Sequence, residues 1–285
     1  MAETNSNAKK NPEKGKLNSR VEKRQKSRKG GNVIAYLAVP ICLLLAFLFF
    51  YLVTGDPSNF SDEGKTQPLN FLGIIYTGGI VVPFLITLFL IVIVFVIERY
   101  FAIQKAKGKI KPAEFLRRVQ YNLANKNIDA AIKECDKQRG AVGNVMHAGL
   151  NKYKEMTTNT DLTTEQKVMN IQGEIEEATT LELPMLEKNL VFLSTIASAA
   201  TLLGLFGTVV GMIKAFQALG ETGGGDSTQL AMGISEALVN TATGILASFI
   251  ATIAYNFFTT NIDGITYGID ETGYTLTQSF AAQYQ

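Results

Sequence analysis

Four long apolar runs divide the chain and predict its secondary structure. None of the runs at 33–53, 80–97, 189–213 and 237–262 contains a charged residue. A helix needs about 20 predominantly apolar residues to cross the hydrocarbon core of a bilayer, which is about 30 Å thick. The pattern therefore predicts four transmembrane helices, which we place at 33–53, 80–101, 189–216 and 234–258.

The first apolar run has an alternative interpretation as the core of a secretory signal peptide. Its apolar part is longer than the roughly 7–15 residues of such a peptide. A polar arm, 1–32, precedes the run, and no small-residue cleavage site closes it. We therefore interpret the run as a transmembrane helix.

Basic residues alternate between the polar segments and predict the orientation of the chain. Residues 1–32 contain ten Lys and Arg and residues 102–188 contain fourteen, whereas the loop 54–79 contains one and the loop 217–233 contains none. Because Lys and Arg accumulate on the cytoplasmic side of a membrane, both loops should face the other side. The arm 1–32, the segment 102–188 and the C-terminal tail 259–285 should be cytoplasmic.

The arm 1–32 has the composition of a disordered segment and allows two interpretations. It could attach to anionic lipid, since each basic residue near the surface contributes about 1 kcal/mol. It could also serve only to orient the first transmembrane helix. The charge pattern is the same in both cases.

The long cytoplasmic segment has the periodicity of helices. Pro112 suits a first helical position, and the segments 128–138 and 142–156 each repeat apolar residues at helical spacing. From Thr163 the apolar positions continue without a stop into the third span, which predicts one long helix with a possible kink at Pro184. The expected fold is an all-α integral membrane protein in which the last two of four transmembrane helices extend into a helical cytoplasmic domain.

Composition excludes several classes of function. The net charge of +2 gives no basic excess for a nucleic-acid partner, and one His and two Cys leave little material for a metal site. The glycine-rich stretch 222–228 lacks the Gly-Lys-Ser/Thr of a phosphate-binding loop, so we interpret it as an outer turn in which Asp226 or Ser227 caps the fourth span. Cys42 and Cys135 should lie in different compartments and form no disulfide. We expect no catalytic residues, no metal and no cofactor, and hence no enzyme.

Spans three and four each have a small or polar face opposite a bulky apolar face, at about 100° per residue. In the third span the small face comprises Ala197, Ala200, Thr201, Gly204, Gly207, Thr208 and Gly211. In the fourth span it comprises Glu236, Asn240, Thr241, Gly244, Ala247, Ser248, Ala251 and Thr252. Such faces suit close helix contact or a water-filled gap, so we expect them to line a shared interior within one subunit or around an oligomer axis.

Glu236 is the only charged residue in the fourth span. We place it roughly 10 Å inside the outer end of the helix, at a rise of about 1.5 Å per residue. Because a central charge costs about 2.5–3.5 kcal/mol on insertion scales, such residues usually face an interior and mark an ion path. The alternative is a structural carboxylate paired with Lys214 at the outer end of span three. The hydroxyls of Thr208, Thr241 and Ser248 could relay protons or pack by bonding backbone carbonyls.

Spans three and four resemble the MotA/TolQ/ExbB family of proton-channel subunits. The resemblance lies in STIASAATLLGLFGTVVGMIKAF at 194–216 and in GISEALVNTATGILASFIATIAYNFF at 233–258, most specifically in GLFGTVVGM and SEAL. In layout it extends to spans two to four and the cytoplasmic region between them. Within the family the chain is most similar to ExbB, with TolQ close behind, whereas the span motifs of MotA differ.

The resemblance implies a pentameric ring in the bacterial inner membrane, around the single-span helices of an ExbD-like partner. Proton flow would then drive a motion that passes to a TonB-like protein and on to outer-membrane receptors, and the outer loops would be periplasmic. By motif, the resemblance implies Glu236, Thr208 and Thr241 as polar positions of the proton pathway. The remaining polar or small positions would line the pore or pack helices, namely Asn240, Ser248, Thr201, Gly204, Gly207, Gly211 and Gly244.

Three positions depart from the family pattern. Thr201 and Ile250 stand where prolines are usual, and Asn240 stands where a small apolar residue is common. The first span and the basic arm are additions to the three-span plan of ExbB. Helix bending and local hydration should therefore differ from those of the family.

Two other functions remain open at this point. The chain could be a TolQ-like subunit for maintaining the cell envelope, or a scaffold that conducts no protons and uses its small-residue faces only to hold helices together. The conducting and scaffold hypotheses differ in what they require of Glu236.

Overall fold

The computed structural model describes residues 37–221 and 227–284, and every main element in these ranges is a helix. Residues 37–48 form α1, which continues as a π-helical turn, Phe49–Thr54. The other helices are α2 Phe71–Thr77, α3 Val81–Lys107, α4 Pro112–Ala124, α5 Ile128–Gln138, α6 Gly140–Thr158, α7 Thr164–Glu187, α8 Leu190–Glu221 and α9 Ser227–Tyr284. The arm 1–32 and the proposed cap Asp226 lie outside the described residues.

Four of the helical stretches are long and apolar enough to cross a bilayer, as the sequence predicts. They lie within Leu37–Thr54, Val81–Ala124, Leu190–Gly220 and Thr228–Tyr284. The 58 residues of α9 correspond to a length of about 87 Å at a rise of about 1.5 Å per residue. Because the hydrocarbon core is only about 30 Å thick, much of α9 must lie outside it. Residues 259–284, expected as a tail, are the distal part of this helix.

A compact segment joins α1 to α3. Its Tyr76 ring stacks on Phe50 with the ring centroids 4.9 Å apart, and Lys65 Nζ donates to the Gly55 carbonyl oxygen at 2.5 Å. The Asn70 side chain caps α2 by accepting from the backbone N–H of Gly73. The short α2 is thereby fixed against the C-terminal end of α1, and the chain then turns sharply into α3.

Helices α4 to α7 and the distal part of α9 form a helical domain whose hydrophobic core is continuous with buried residues of α3 and α8. Its largest fully buried side chains include Tyr153, Phe115, Phe280 and Leu276. Pro112 occupies the first turn of α4 and the helix 128–138 is present, both as the sequence predicts. Cys135 is free and buried in this domain, and burial raises the pKa of its thiol to about 12.

The prediction of one continuous helix from Thr163 into the third span is wrong. The chain forms two helices, α7 and α8, that are separated at Lys188 and Asn189, while Pro184 lies inside α7. Asn189 has a φ of +66°, in the left-handed region that ends a helix. The third span therefore does not extend into the helical domain, whereas the fourth does.

A buried arginine of α3 holds this junction between α7 and α8. Arg99 Nη1 donates to the Leu186 carbonyl oxygen at 3.2 Å, which satisfies one of the free carbonyls at the end of α7. Its other nitrogens donate to both carboxylate oxygens of Glu98, at 2.6 and 2.5 Å. Asn189 Nδ2 also donates to Glu98, at 3.2 Å. The helix break thus combines the left-handed backbone of Asn189 with contacts from α3.

Replacing Arg99 by Leu should lower the free energy of unfolding by about 3 kcal/mol, because it leaves a partly buried carboxylate and a carbonyl without their donor. Arg117→Leu is the matched control, since Arg117 is exposed on α4, and it should change stability by less than about 0.5 kcal/mol. The measurement is unfolding in mixed detergent micelles. Equal effects of the two substitutions would show that the Arg99 contacts do not stabilise the junction.

Candidate functional site

The small-residue faces of α8 and α9 pack directly against each other. A Cβ added at Gly204 would lie 3.0 Å from the Asn240 carbonyl oxygen, and one added at Gly207 would lie 2.5 Å from Asn240 Cβ. At Gly211 the nearest atom would be the Gly233 carbonyl oxygen, at 2.8 Å. Backbones approach this closely only where side chains are absent. Within one chain, these glycines therefore form a tight helix contact.

The same contact continues toward the other end of the two helices. A Cβ added at Gly244 would lie 2.7 Å from the Ala200 carbonyl oxygen, and Ser248 Oγ donates a hydrogen bond to the Ala197 carbonyl oxygen. Ala247 and Ala251 are fully buried. The contact thus runs along the helices for several turns and fixes the relative height of α8 and α9.

The threonines of the expected proton pathway bond to their own helices. Thr208 Oγ1 donates to the Leu205 carbonyl oxygen at 2.6 Å, and Thr241 Oγ1 donates to the Ala237 carbonyl oxygen at 3.3 Å. Among the hydrogen bonds of the described residues, neither hydroxyl reaches Glu236. Thr208 borders an open groove on α8, and Thr201 is exposed. The structure of one chain therefore does not bring these hydroxyls together with the carboxylate.

Glu236 forms an ion pair with Lys214. Lys214 Nζ lies 2.6 Å from Glu236 Oε1, so the pairing considered as an alternative is present. The two side chains differ in exposure, at 12% for Glu236 and 50% for Lys214. The carboxylate is therefore enclosed by protein, while the lysine stem lies along the surface. Lys214 partly offsets the cost of placing a carboxylate among membrane-spanning helices.

The carboxylate also rests on a glycine that the sequence analysis missed. A Cβ added at Gly79 would lie 2.3 Å from Glu236 Oε1 and 2.9 Å from Glu236 Cδ. Gly79 belongs to the turn between α2 and α3 and has a φ of +74°. The available signal was the pair of glycines at 78 and 79 between two apolar runs, but the sequence does not show what contacts them.

One turn further along α9, Asn240 contacts the same turn. Its side chain is fully buried, and Nδ2 donates to the Gly78 carbonyl oxygen at 2.9 Å. Oδ1 has no hydrogen-bond partner among the described residues. Asn240 also covers Gly207 of α8, so it lies where three helices meet. The departure from the family pattern at this position thus supplies a polar contact to the start of α3.

This arrangement places one carboxyl group beside one ammonium group. Glu236 has a positively charged neighbour and is enclosed on two sides by backbone and small residues. No group of three or more potential metal ligands occurs within the described ranges.

The comparisons with known proteins identify the same region. Residues 137–271 match the model of the MotA/TolQ/ExbB proton channel family. The chain is 40% identical over 84 residues to the Tol-Pal system protein TolQ of Haemophilus influenzae, which covers 30% of this chain and 37% of that protein. It is 32% identical over 117 residues to TolQ of Pseudomonas aeruginosa, a match that covers 41% of this chain and 51% of that protein. It is 39% identical over 72 residues to the biopolymer transport protein ExbB of Aquifex aeolicus, a match that covers 25% of this chain and 49% of that protein. The matches thus span between about a third and a half of these relatives.

Replacing Gly244 by Val should lower the free energy of unfolding by about 1–3 kcal/mol, because the added atoms force α8 and α9 apart. Gly264→Val is the control on the same helix, since an added Cβ there meets nothing within 4 Å. Thermal unfolding in detergent measures both variants. A Gly244→Val protein as stable as Gly264→Val would contradict the tight contact.

Proposed function

We propose that this chain, which matches the MotA/TolQ/ExbB proton channel family, is the channel-forming subunit of a proton-driven motor in the bacterial inner membrane. The family and the four apolar helices make it a multi-pass membrane protein. The observation that carries the proposal is the enclosed Glu236 carboxylate on a helix that has no other charged residue in its membrane-spanning part.

Glu236 is the proton-binding group in this proposal. A carboxylate at this position costs free energy unless it pairs with an opposite charge or binds a proton. Lys214 is its partner in the structure, and a proton is the alternative partner. Because the lysine side chain is long, flexible and half exposed, it can withdraw while the carboxyl group stays enclosed. Proton binding would then replace an ion pair by a neutral carboxyl group and a free ammonium.

Thr208 and Thr241 are proposed as relay positions that act only in the assembled motor. Each hydroxyl now donates to a backbone carbonyl of its own helix, and each oxygen keeps lone pairs that can accept from water. Thr208 borders an open groove on α8, which a neighbouring helix or water would occupy on assembly. The relay would therefore require contributions from beyond one chain.

Assembly into a ring is supported by the apolar faces that α8 and α9 leave uncovered. These faces expose large side chains, among them Leu202, Phe206, Val209, Leu238, Ile245 and Phe249. In a membrane such faces contact lipid or other helices. We propose a homopentamer around an ExbD-like single-span partner, with both termini cytoplasmic and the loops 54–79 and 217–233 periplasmic. Motion would pass to a TonB-like protein that energises outer-membrane transport.

A TolQ-like role is the second candidate, and the comparisons favour it in one respect. Two of the relatives named above are Tol-Pal system proteins, and one of them has the longest of the three matched segments. ExbB proteins match as well, at a similar level of identity. The channel mechanism is the same for both roles, which differ in the protein that receives the motion.

Glu236→Gln should reduce proton flux by about a hundredfold in vesicles that contain the chain and its single-span partner, because an amide cannot take up the proton. Glu271→Gln, an exposed carboxylate on the distal part of α9, is the control and should conduct normally. Assembly of each complex is checked by size. Normal flux in an assembled Glu236→Gln complex would reject the channel function and leave the scaffold hypothesis.

The two roles predict that the chain restores function to different mutant cells. An ExbB-like chain, expressed with its own partners, should restore energised uptake through outer-membrane receptors to cells that lack ExbB. A TolQ-like chain should instead restore resistance to detergents in cells that lack TolQ. The Glu236→Gln variant should fail in whichever assay the unaltered chain succeeds. Restoration of uptake alone would exclude the TolQ-like role.

A further inference from the structure

We propose that the turn formed by Gly78 and Gly79 is a positioning element that sets the Glu236 carboxyl group against Lys214. This inference rests on the proposed function, because it assigns the turn a role at the proton-binding group. Gly78 and Gly79 lie between the end of α2 and the start of α3, outside the two motif-bearing spans.

The backbone of this turn brings α3 close to α9. The Gly79 N–H donates to the Tyr76 carbonyl oxygen at 3.1 Å, and the Val82 N–H donates to the Gly79 carbonyl oxygen at 3.2 Å. Between these bonds Gly79 has a φ of +74°, which residues with a Cβ rarely adopt. A side chain at this position would therefore be strained even in open space.

Space is a second and separate restriction at Gly79. A Cβ there would lie 2.3 Å from Glu236 Oε1, well inside van der Waals contact. The carboxyl group thus occupies the position that a side chain at residue 79 would fill. On its other side lies the Lys214 ammonium, 2.6 Å from the same oxygen. Glu236 therefore contacts both the backbone of the turn between α2 and α3 and a charged group of α8.

Asn240 adds a second contact between α9 and the same turn. Residues 236 and 240 are one turn apart on α9 and share a face. Asn240 donates to the Gly78 carbonyl oxygen while Glu236 rests on Gly79. Two consecutive residues of the turn therefore contact two successive turns of α9. This double contact fixes both the rotation and the height of α9, and so it directs the carboxyl group toward Lys214.

A double-mutant cycle on stability tests the contact without any proton assay. Gly79→Ala should lower the thermal midpoint of the assembled protein by about 4 °C or more. In a Glu236→Ala background the same substitution should lower it by no more than half as much, because backbone strain remains but the clash is gone. Equal losses in the two backgrounds would overturn the proposal, since Gly79 would then act only through its backbone conformation.

The same pair of variants tests the contact if the Gly79→Ala protein does not fold and cannot be recovered. Recovery of the folded protein in the double variant Gly79→Ala/Glu236→Ala would support the clash as the cause. Failure of both variants would overturn it. Gly220→Ala is the control for adding a methyl group to a glycine, because a Cβ there meets nothing within 4 Å.

Proton flux through the complex with the single-span partner tests the positioning role. Gly79→Ala should reduce flux by about tenfold or more, because displacement of a reacting group by about 1 Å is costly. In the Glu236→Asp background, whose side chain is shorter by one methylene, Gly79→Ala should reduce flux much less. Normal flux in Gly79→Ala would overturn the positioning role and leave the channel function intact. Absence of flux in the unaltered complex would instead reject the channel function, and the stability cycle would still decide the contact.

Discussion

The fold depends on how a carboxylate is accommodated between membrane-spanning helices. An unpaired charge at this depth would cost several kcal/mol, so Glu236 needs either an opposite charge or a proton. Lys214 provides the opposite charge from a different helix, 22 positions earlier in the chain. In this structure the pair forms at one height and rotation of α8 relative to α9. The surrounding residues are best understood as the means of setting that geometry.

Small residues set the height of the two helices. Gly204, Gly211 and Gly244 allow backbone contacts that larger side chains would prevent, and Ser248 adds a hydrogen bond to the facing helix. Asn240 and the turn at Gly78 then set the rotation of α9 against α3. Because the contact has little side-chain volume, its geometry comes from backbone shape and is difficult to deform. Proton binding would therefore act on a rigid helix pair.

The sequence predicts most of what depends on local patterns and little of what depends on contacts between distant residues. Apolar runs located the spans, and Pro112 located the start of α4, because burial and helix starts have local signals. The break between α7 and α8 has one local signal, Asn189, but the stabilising contact from Arg99 of α3 could not be read from the sequence. In the site, periodicity found the small faces and Glu236. The contact of Asn240 with Gly78 joins residues 162 positions apart and could not be read from either segment.

The two long helices differ in how they could transmit a change at the carboxyl group. Helix α8 begins at the junction with α7, where Asn189 interrupts the helical conformation. A displacement of α8 is therefore not passed on through a continuous helix. Helix α9 continues without interruption from Ser227 to the helical domain, where Leu276 and Phe280 are fully buried. A continuous helix moves as a unit over short distances, whereas a broken one can hinge. If protonation of Glu236 changes its contact with Lys214, α9 is therefore the element through which the helical domain would sense it.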